Sequence, residues 1–199
     1  MATGAGALER LEAVVLAAGA GSRFGGGKLL AAYGSGVLLH GALAAAFAAP
    51  ARGVTVVTGA DAAAVAAAAR AFDPRVRLVH APDHAEGMGA SLRTGIASLP
   101  ADAAAAFVFL GDMPRVPHDV ARSLAEAVAN GSSAAAPTFG GRRGNPVLLA
   151  RELFPGLLAL QGDEGARRIL QGIGDRLALV EAPDDGVLFD VDQQSDLTP

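Results

Sequence analysis

The chain has 199 residues, of which 51% are hydrophobic and 18% charged, a composition that builds a core rather than a disordered chain. Sixteen Lys and Arg against twenty Asp and Glu leave a net charge of −4, which argues against bulk electrostatic capture of nucleic acid. The absence of cysteine removes disulfides, thiolate metal sites, iron–sulfur clusters and catalytic thiols. No apolar run approaches the length of a membrane span, and no basic prelude precedes the apolar start. A cytoplasmic protein without membrane or nucleic-acid partners is expected.

In chain order, residues 1–10 are small and polar and are expected to be a flexible lead into one domain over 11–199. Val14 to Leu16 reads as a buried strand. It runs into Ala17-Ala18-Gly19-Ala20-Gly21-Ser22-Arg23-Phe24-Gly25-Gly26-Gly27-Lys28, where glycines free backbone N–H groups to face an anion and Arg23 and Lys28 supply positive charge. This phosphate cradle is neither of two familiar ones. A Walker A loop needs glycine where Ser22 stands and a hydroxyl where Leu29 follows Lys28. A dinucleotide fingerprint needs glycine where Phe24 stands, which argues against a nicotinamide-dependent oxidoreductase.

A helix is expected from Val37 to Ala49, a strand over Val54 to Thr58, a helix capped by Asp61 and running to about Ala71, and a strand over Val76 to Val79. A glycine turn, Glu86-Gly87-Met88-Gly89-Ala90-Ser91-Leu92-Arg93, then leads into a helix ending near Pro100. Ala105 to Leu110 is a further buried strand, followed at once by Gly111-Asp112-Met113-Pro114. Pro117 to Asn130 reads as an amphipathic helix. Ala134 to Phe139 and Asn145 to Leu149 read as strands joined across a basic turn, Gly165 to Gln171 as a short helix, and Leu177 to Val180 and Val187 to Val191 as late strands. Apolar strands alternating with helices indicate an α/β fold with a mostly parallel, doubly wound sheet covered on both faces.

Ligands in such sheets bind beyond the carboxyl ends of the strands, where the cradle, the Gly87–Ser91 loop and the Asp112 turn should meet. Asp112 emerges directly from a buried strand, and a carboxylate there suits a hard cation such as Mg²⁺. Asp190 and Asp192 flank Val191; strand alternation would put them on one face as the second carboxylate source. Ser91 lacks the closing glycine of a nucleophile elbow, so binding or capping suits it better than nucleophilic attack. Arg142 and Arg143 form a basic patch placed to accept a phosphorylated substrate or simply to face solvent.

Taken together, LAAGAGSRFGGGKLL, EGMGASLR, LGDMP, GGRRGNPVLL, GDEGAR and the terminal DVD resemble the MobA-like nucleotidyltransferases of molybdenum cofactor biosynthesis, in family order from Leu16 to Asp192. Leu16-Ala17-Ala18-Gly19 in place of L-A-G-G, and R-G-x-P-V after the arginine turn, are similar to the CTP:molybdopterin cytidylyltransferase branch. The resemblance implies a Rossmann-like, glycosyltransferase-A type fold and Mg²⁺ as cofactor. It implies transfer of CMP from CTP to the terminal phosphate of molybdopterin with release of pyrophosphate. Lys28, Arg23 and Asp112 would be catalytic. Leu16, Ala17, Ala18, Gly19, Gly21, Ser22, Arg23, Lys28, Gly87, Gly89 and Ser91 would bind the nucleotide. Asp112 with Asp190 or Asp192 would hold the metal, and Arg143, Asn145 and Asp163 would lie toward the pterin. A molybdenum hydroxylase or its maturation chaperone is the implied partner. Another guanylyl- or sugar-phosphate cytidylyltransferase, or a non-catalytic nucleotide-binding cofactor chaperone, would use many of the same residues. Two departures stand out: Gln193-Gln194-Ser195 replaces T-P-E after the terminal carboxylates, and Asn145 stands where histidine is common.

Overall fold

The computed structural model describes residues 9–163 and 165–197. The expected flexible lead falls largely on residues 1–8 and lies outside the described residues; Glu9 and Arg10 form a turn into the first strand.

The strands are β1 (Leu11–Ala17), β2 (Ala32–Tyr33), β3 (Gly36–Val37), β4 (Val54–Thr58), β5 (Arg77–His80), β6 (Ala105–Leu110), β7 (Ala134–Phe139), β8 (Arg142–Arg143), β9 (Val147–Ala150) and β10 (Leu177–Glu181). The α-helices are α1 (Leu38–Ala48), α2 (Ala62–Phe72), α3 (Met88–Ala97), α4 (Val120–Ala129), α5 (Phe154–Leu158) and α6 (Arg167–Gly172). The main sheet runs β10-β7-β9-β6-β1-β4-β5, with β8 hanging on β7; β2 and β3 form a separate hairpin. From β1 the chain winds outward to β4 and β5. It then crosses to β6 on the other side of β1 and winds outward again, so the sheet reverses direction of growth between β1 and β6. That reversal opens a crevice at the carboxyl ends of the two strands.

The sheet is parallel except where β9 lies antiparallel between β6 and β7 and where the short β8 runs antiparallel to β7. β1, β4 and β6 are buried along almost their whole length, as strands covered on both faces must be, and this explains their near-continuous apolar runs. The two faces divide by alternation. Phe107 and Phe109 of β6 join Val15, Leu39, Leu43 and Leu124 under α1, α2 and α4. Ala106 and Val108 join Leu92, Ile96, Leu149 and Leu157 under α3, α5 and α6.

Three local expectations are corrected. Asp61 does occupy the N-cap position of α2, but its side chain makes no capping hydrogen bond. The amphipathic helix begins at Val120 rather than Pro117. Val187 to Val191 is not a strand: it follows a single 3₁₀ turn, Asp185–Val187, and then runs irregularly. Its polar backbone groups are spent on separate partners. Val187 C=O accepts from Asn145, Leu188 N–H donates to Asp185, and Val191 N–H donates to Asp112, so no ladder can form.

At the amino end of the sheet, opposite the crevice, the β1 residue Glu12 is 1% exposed and meets two arginines. Arg52 donates Nε to its carboxylate at 2.7 Å, and Arg77 of β5 donates to the other oxygen. Arg52 also forks onto Asp102 at 2.8 and 2.7 Å, clamping the loop before β6 to the loop before β4. These bonds hold the Asp102 carboxyl at about 2 and raise the Arg52 guanidinium, through Asp102 first and Glu12 second. Glu12→Gln removes the buried charge that Arg52 and Arg77 share and leaves Arg52 with Asp102 alone; it is expected to cost about 2–3 kcal/mol in chemical denaturation, the scale of hydrogen bonds to a charged group. Asp102 is more acidic folded than unfolded, so its contribution is complete above about pH 4 and fades as pH falls toward 2. Asp102→Asn should flatten the loss of stability across that interval; an unchanged acid limb would remove Asp102 from the clamp.

Candidate active site

The cradle is built from the end of β1. Ala17 and Ala18 are buried at 2% each, Ala17 in the main core and Ala18 against Val14, Val57 and Ala81, so only their backbones can meet a ligand. Leu16 is part-buried, and its carbonyl accepts the Gly111 N–H at 2.9 Å, which draws the ends of β1 and β6 together. Gly19 is exposed at the crevice mouth. Gly21 then turns the chain with φ +59, a region that disfavours a side chain, and a Cβ there would crowd the Lys28 Cβ at 2.9 Å. Ser22 opens the 3₁₀ turn Ser22–Phe24. Phe24, at 9% exposure, anchors the loop in the core, and Lys28 begins a second 3₁₀ turn whose Leu29 is also buried. A loop that swings freely would have neither anchor.

The anchored loop delivers Lys28 to the switch point. Lys28 Nζ lies 2.6 Å from Asp112 Oδ2 and 3.9 Å from Asp192 Oδ1, and Arg23 reaches Asp192 Oδ2 at 3.1 Å. Asp192 and Asp190 arrive here without a strand. The Val191 N–H donates to the Asp112 carbonyl at 3.1 Å, and the Val191 side chain is fully buried, so the two flanking carboxylates are held at the crevice. Burial first, and then the neighbouring Asp112 and Asp192 charges, push the Asp190 carboxyl above the ordinary carboxylate range. An open cleft of about 610 Å³ adjoins the cluster, lined by Arg23, Phe24, Asp192, Gln193, Gln194 and Ser195.

The donor set fits a hard divalent cation: Asp112, Asp190 and Asp192 offer only oxygen, and their mutual repulsion is what such an ion relieves. Among the described residues, no group of three or more His, Cys, Asp or Glu side chains is arranged to hold a metal ion by itself, so an ion here would take one or two of these carboxylates and complete its shell with phosphate and water oxygens. Here Lys28 and Arg23 stand against the carboxylates instead.

Gly87 and Gly89 pack against Gly162 and Asp163 at the start of α3. The Gly162 carbonyl accepts the Gly89 N–H at 2.8 Å, and Asp163 Oδ1 accepts the Met88 N–H at 3.3 Å across the start of α3. A Cβ on Gly87 would overlap Asp163, and one on Gly89 would lie 2.7 Å from the Gly162 carbonyl oxygen. Their smallness therefore serves the approach of the 161–163 loop, and Ser91 is buried at 6%. Arg142 and Arg143 are exposed on β8, and the Asn145 N–H donates to the Val187 carbonyl at 2.9 Å. That bond links the basic turn to the segment carrying Asp190.

Sequence reasoning missed three contributors. Asp196 accepts the N–H groups of Asp192 and Gln193 at 2.9 and 2.8 Å, bonds that lower its own carboxyl and fold the turn after the terminal carboxylates. Its spacing, an acid four residues after Asp192, was the available signal. Tyr33 and Arg115 meet at 2.9 Å beside the cluster, and nothing in their local sequence marks the pairing.

Residues 13–180 match the family described as the MobA-like NTP transferase domain. A stretch of 126 residues is 32% identical to the purine catabolism protein PucB of Bacillus subtilis (strain 168), covering 61% of this chain and only 59% of that relative. The crystal structure of a homolog of Mycobacterium tuberculosis Rv0371c from Mycobacterium sp. strain JC1 superposes with a TM-score of 0.84 at 28% identity, over 94% of this chain and 93% of that one. A manganese complex of Rv0371c from Mycobacterium tuberculosis H37Rv superposes with a TM-score of 0.72 at 25% identity, over 87% and 88% of the two chains.

Gly89→Ala tests the packing account of the glycine turn. The added methyl must displace the Gly162 carbonyl, at a cost of about 1–3 kcal/mol, and should speed hydrogen exchange of the Gly89 amide. Unchanged exchange there would return Gly89 to a purely ligand-facing role.

Proposed function

The chain belongs to the MobA-like NTP transferase family, and from that premise we propose that it transfers CMP from CTP to the terminal phosphate of a molybdopterin-type acceptor, releasing pyrophosphate. The observation that carries the reading is the meeting of Lys28, Arg23, Asp112 and Asp192 at the switch point of the sheet. Lys28 and Arg23, paired with Asp112 and Asp192, can exchange those partners for a triphosphate and its metal. Lys28 and Arg23 bind phosphate oxygens, and the exposed backbone at Gly19 and Ala20 faces the nucleotide. Asp112 with Asp190 or Asp192 would hold Mg²⁺, which when bound neutralises charge on the departing pyrophosphate. A manganese complex of a structural relative supports a divalent ion in this family.

An acceptor phosphate oxygen forms the new bond to the α-phosphorus, and the bond from that phosphorus to the bridging oxygen breaks, its electron pair leaving on pyrophosphate. The attacking oxygen is already an anion, so no side chain has to take a proton. The protein's work is to suppress repulsion between the two anions and to orient them in line. Arg143 and Asn145, with the basic turn of β8, are assigned to the acceptor side. Asp163 acts there through its hold on α3. With Ala17 and Ala18 buried, discrimination of cytosine is assigned to their backbones.

The reading extends to a single catalytic domain over residues 11–199 working in the cytoplasm; among the described residues no helix is long and apolar enough to cross a membrane. The purine-catabolism name of the relative PucB suits a molybdenum hydroxylase, or its maturation chaperone, as recipient of the product.

Pyrophosphate release tests the proposal. With Mg²⁺ and molybdenum cofactor, CTP should exceed GTP and ATP. Preference for GTP would move the protein to the guanylyl branch, and nucleotide binding without pyrophosphate would make it a carrier. Lys28→Ala is expected to lower turnover about 10²- to 10³-fold, the scale of one lost transition-state donor. Asp112→Ala should remove Mg²⁺-dependent turnover, and a variant still active with Mg²⁺ would overturn the metal assignment.

A further inference from the structure

The carboxylates at the crevice come from two places that share no regular secondary structure. Asp112 sits on the turn leaving β6, whereas Asp190 and Asp192 sit on the irregular run after the Asp185–Val187 turn. Their relative position must be fixed by side chains and single hydrogen bonds, and one residue makes most of those that are not already accounted for. Arg115, three residues after Asp112, donates Nε to the Tyr33 hydroxyl at 2.9 Å. Its guanidinium carbon lies 3.9 Å from the centroid of the Phe189 ring, a close cation–π contact immediately before Asp190. On the same residue, the backbone carbonyl fills the space where Gly186 has no side chain; a Cβ there would overlap it. Tyr33 in turn belongs to the β2–β3 hairpin, five residues after the cradle lysine.

We propose that Arg115 is the positioning residue of this site: it straps the Lys28-bearing side of the crevice, through Tyr33, to the segment that carries Asp190 and Asp192, through Phe189. It rests on the nucleotidyl-transfer reading only in that those carboxylates are assigned to a divalent ion. Arg115 is itself exposed, and its partners Tyr33 and Phe189 are only partly buried at the edge of the core, so its contacts can organise the site at small cost to the fold. A guanidinium suits the task because it is planar, stacking on a ring with its face while donating in-plane to a hydroxyl; an ammonium can do only one of these with defined geometry. The Val191 N–H bond to Asp112 fixes the segment's depth, and Arg115 fixes its rotation about that point.

The test measures metal rather than turnover. Mn²⁺ binding is followed by electron paramagnetic resonance with CTP present, for the wild-type chain, Arg115→Ala, Arg115→Lys and Phe189→Leu, alongside the melting temperature of each. Arg115→Ala should weaken Mn²⁺ binding about tenfold, the lower end for losing a residue that orients metal ligands, with little change in melting temperature. Phe189→Leu should weaken binding in the same direction, and combining it with Arg115→Ala should add little, because both remove one contact. Arg115→Lys should recover part of the loss by keeping a cation over the ring. Wild-type-like Mn²⁺ affinity in Arg115→Ala overturns the strap while leaving the proposed function intact. Additive losses in the double variant also overturn it, since the two residues would then act separately. If the wild-type chain takes up no Mn²⁺ with CTP, the proposed function falls, and the strap falls with it.

Discussion

The contact between Lys28 Nζ and Asp112 Oδ2, 2.6 Å long, is the point on which the carboxyl end of the sheet is arranged. Its side chains are 14% and 23% exposed, too sheltered to be an ordinary surface ion pair and too open to be a buried one. A contact of this kind contributes little to stability, since the attraction is offset by lost hydration. Its value is that neither partner is committed. The lysine can leave the carboxylate at small cost if another anion takes its place, and the carboxylate can accept another cation. Everything nearby maintains that option: Gly21 turns the loop, Phe24 and Leu29 pin it to the core, and Gly111 lets β6 end hard against Leu16.

Much of this was legible in the sequence. Strands buried on both faces must be apolar throughout, which is why VVL, VTVVT and AAFVFL declared themselves, and why the residues directly after them marked the crevice. The order of glycines, Arg23, Lys28 and Asp112 gave the chemistry its cast. The 186–192 run was misread because an acid–valine–acid alternation imitates a half-buried strand. What holds that run is tertiary: the fit of Gly186 against the Arg115 carbonyl, the Asn145–Val187 bond and the Val191–Asp112 bond, all between residues distant in sequence. Tertiary contacts, not strand alternation, hold Asp190 and Asp192 beside Asp112.

The glycines after β5 show the same division. Their presence foretold a turn, but the cause of their smallness lies more than seventy residues away, in the approach of Gly162 and Asp163. Ala17 and Ala18 are expected to bind the nucleotide, and with both side chains inside the protein only their backbones are left to do so. In each case local pattern identified where the chain must be unusual, and only the packed structure said against what.

The antiparallel strand β9 has a consequence for how the protein is made. β6, β1, β4 and β5 can pair as soon as residue 110 has left the ribosome, so the half of the sheet bearing Lys28 and Asp112 is complete early. The outer edge of β6 then waits for residues 147–150, which must slide between it and β7 in the opposite sense. During that interval a long, apolar, unpaired edge is open to other nascent chains, the exposure that slow non-local pairing always brings.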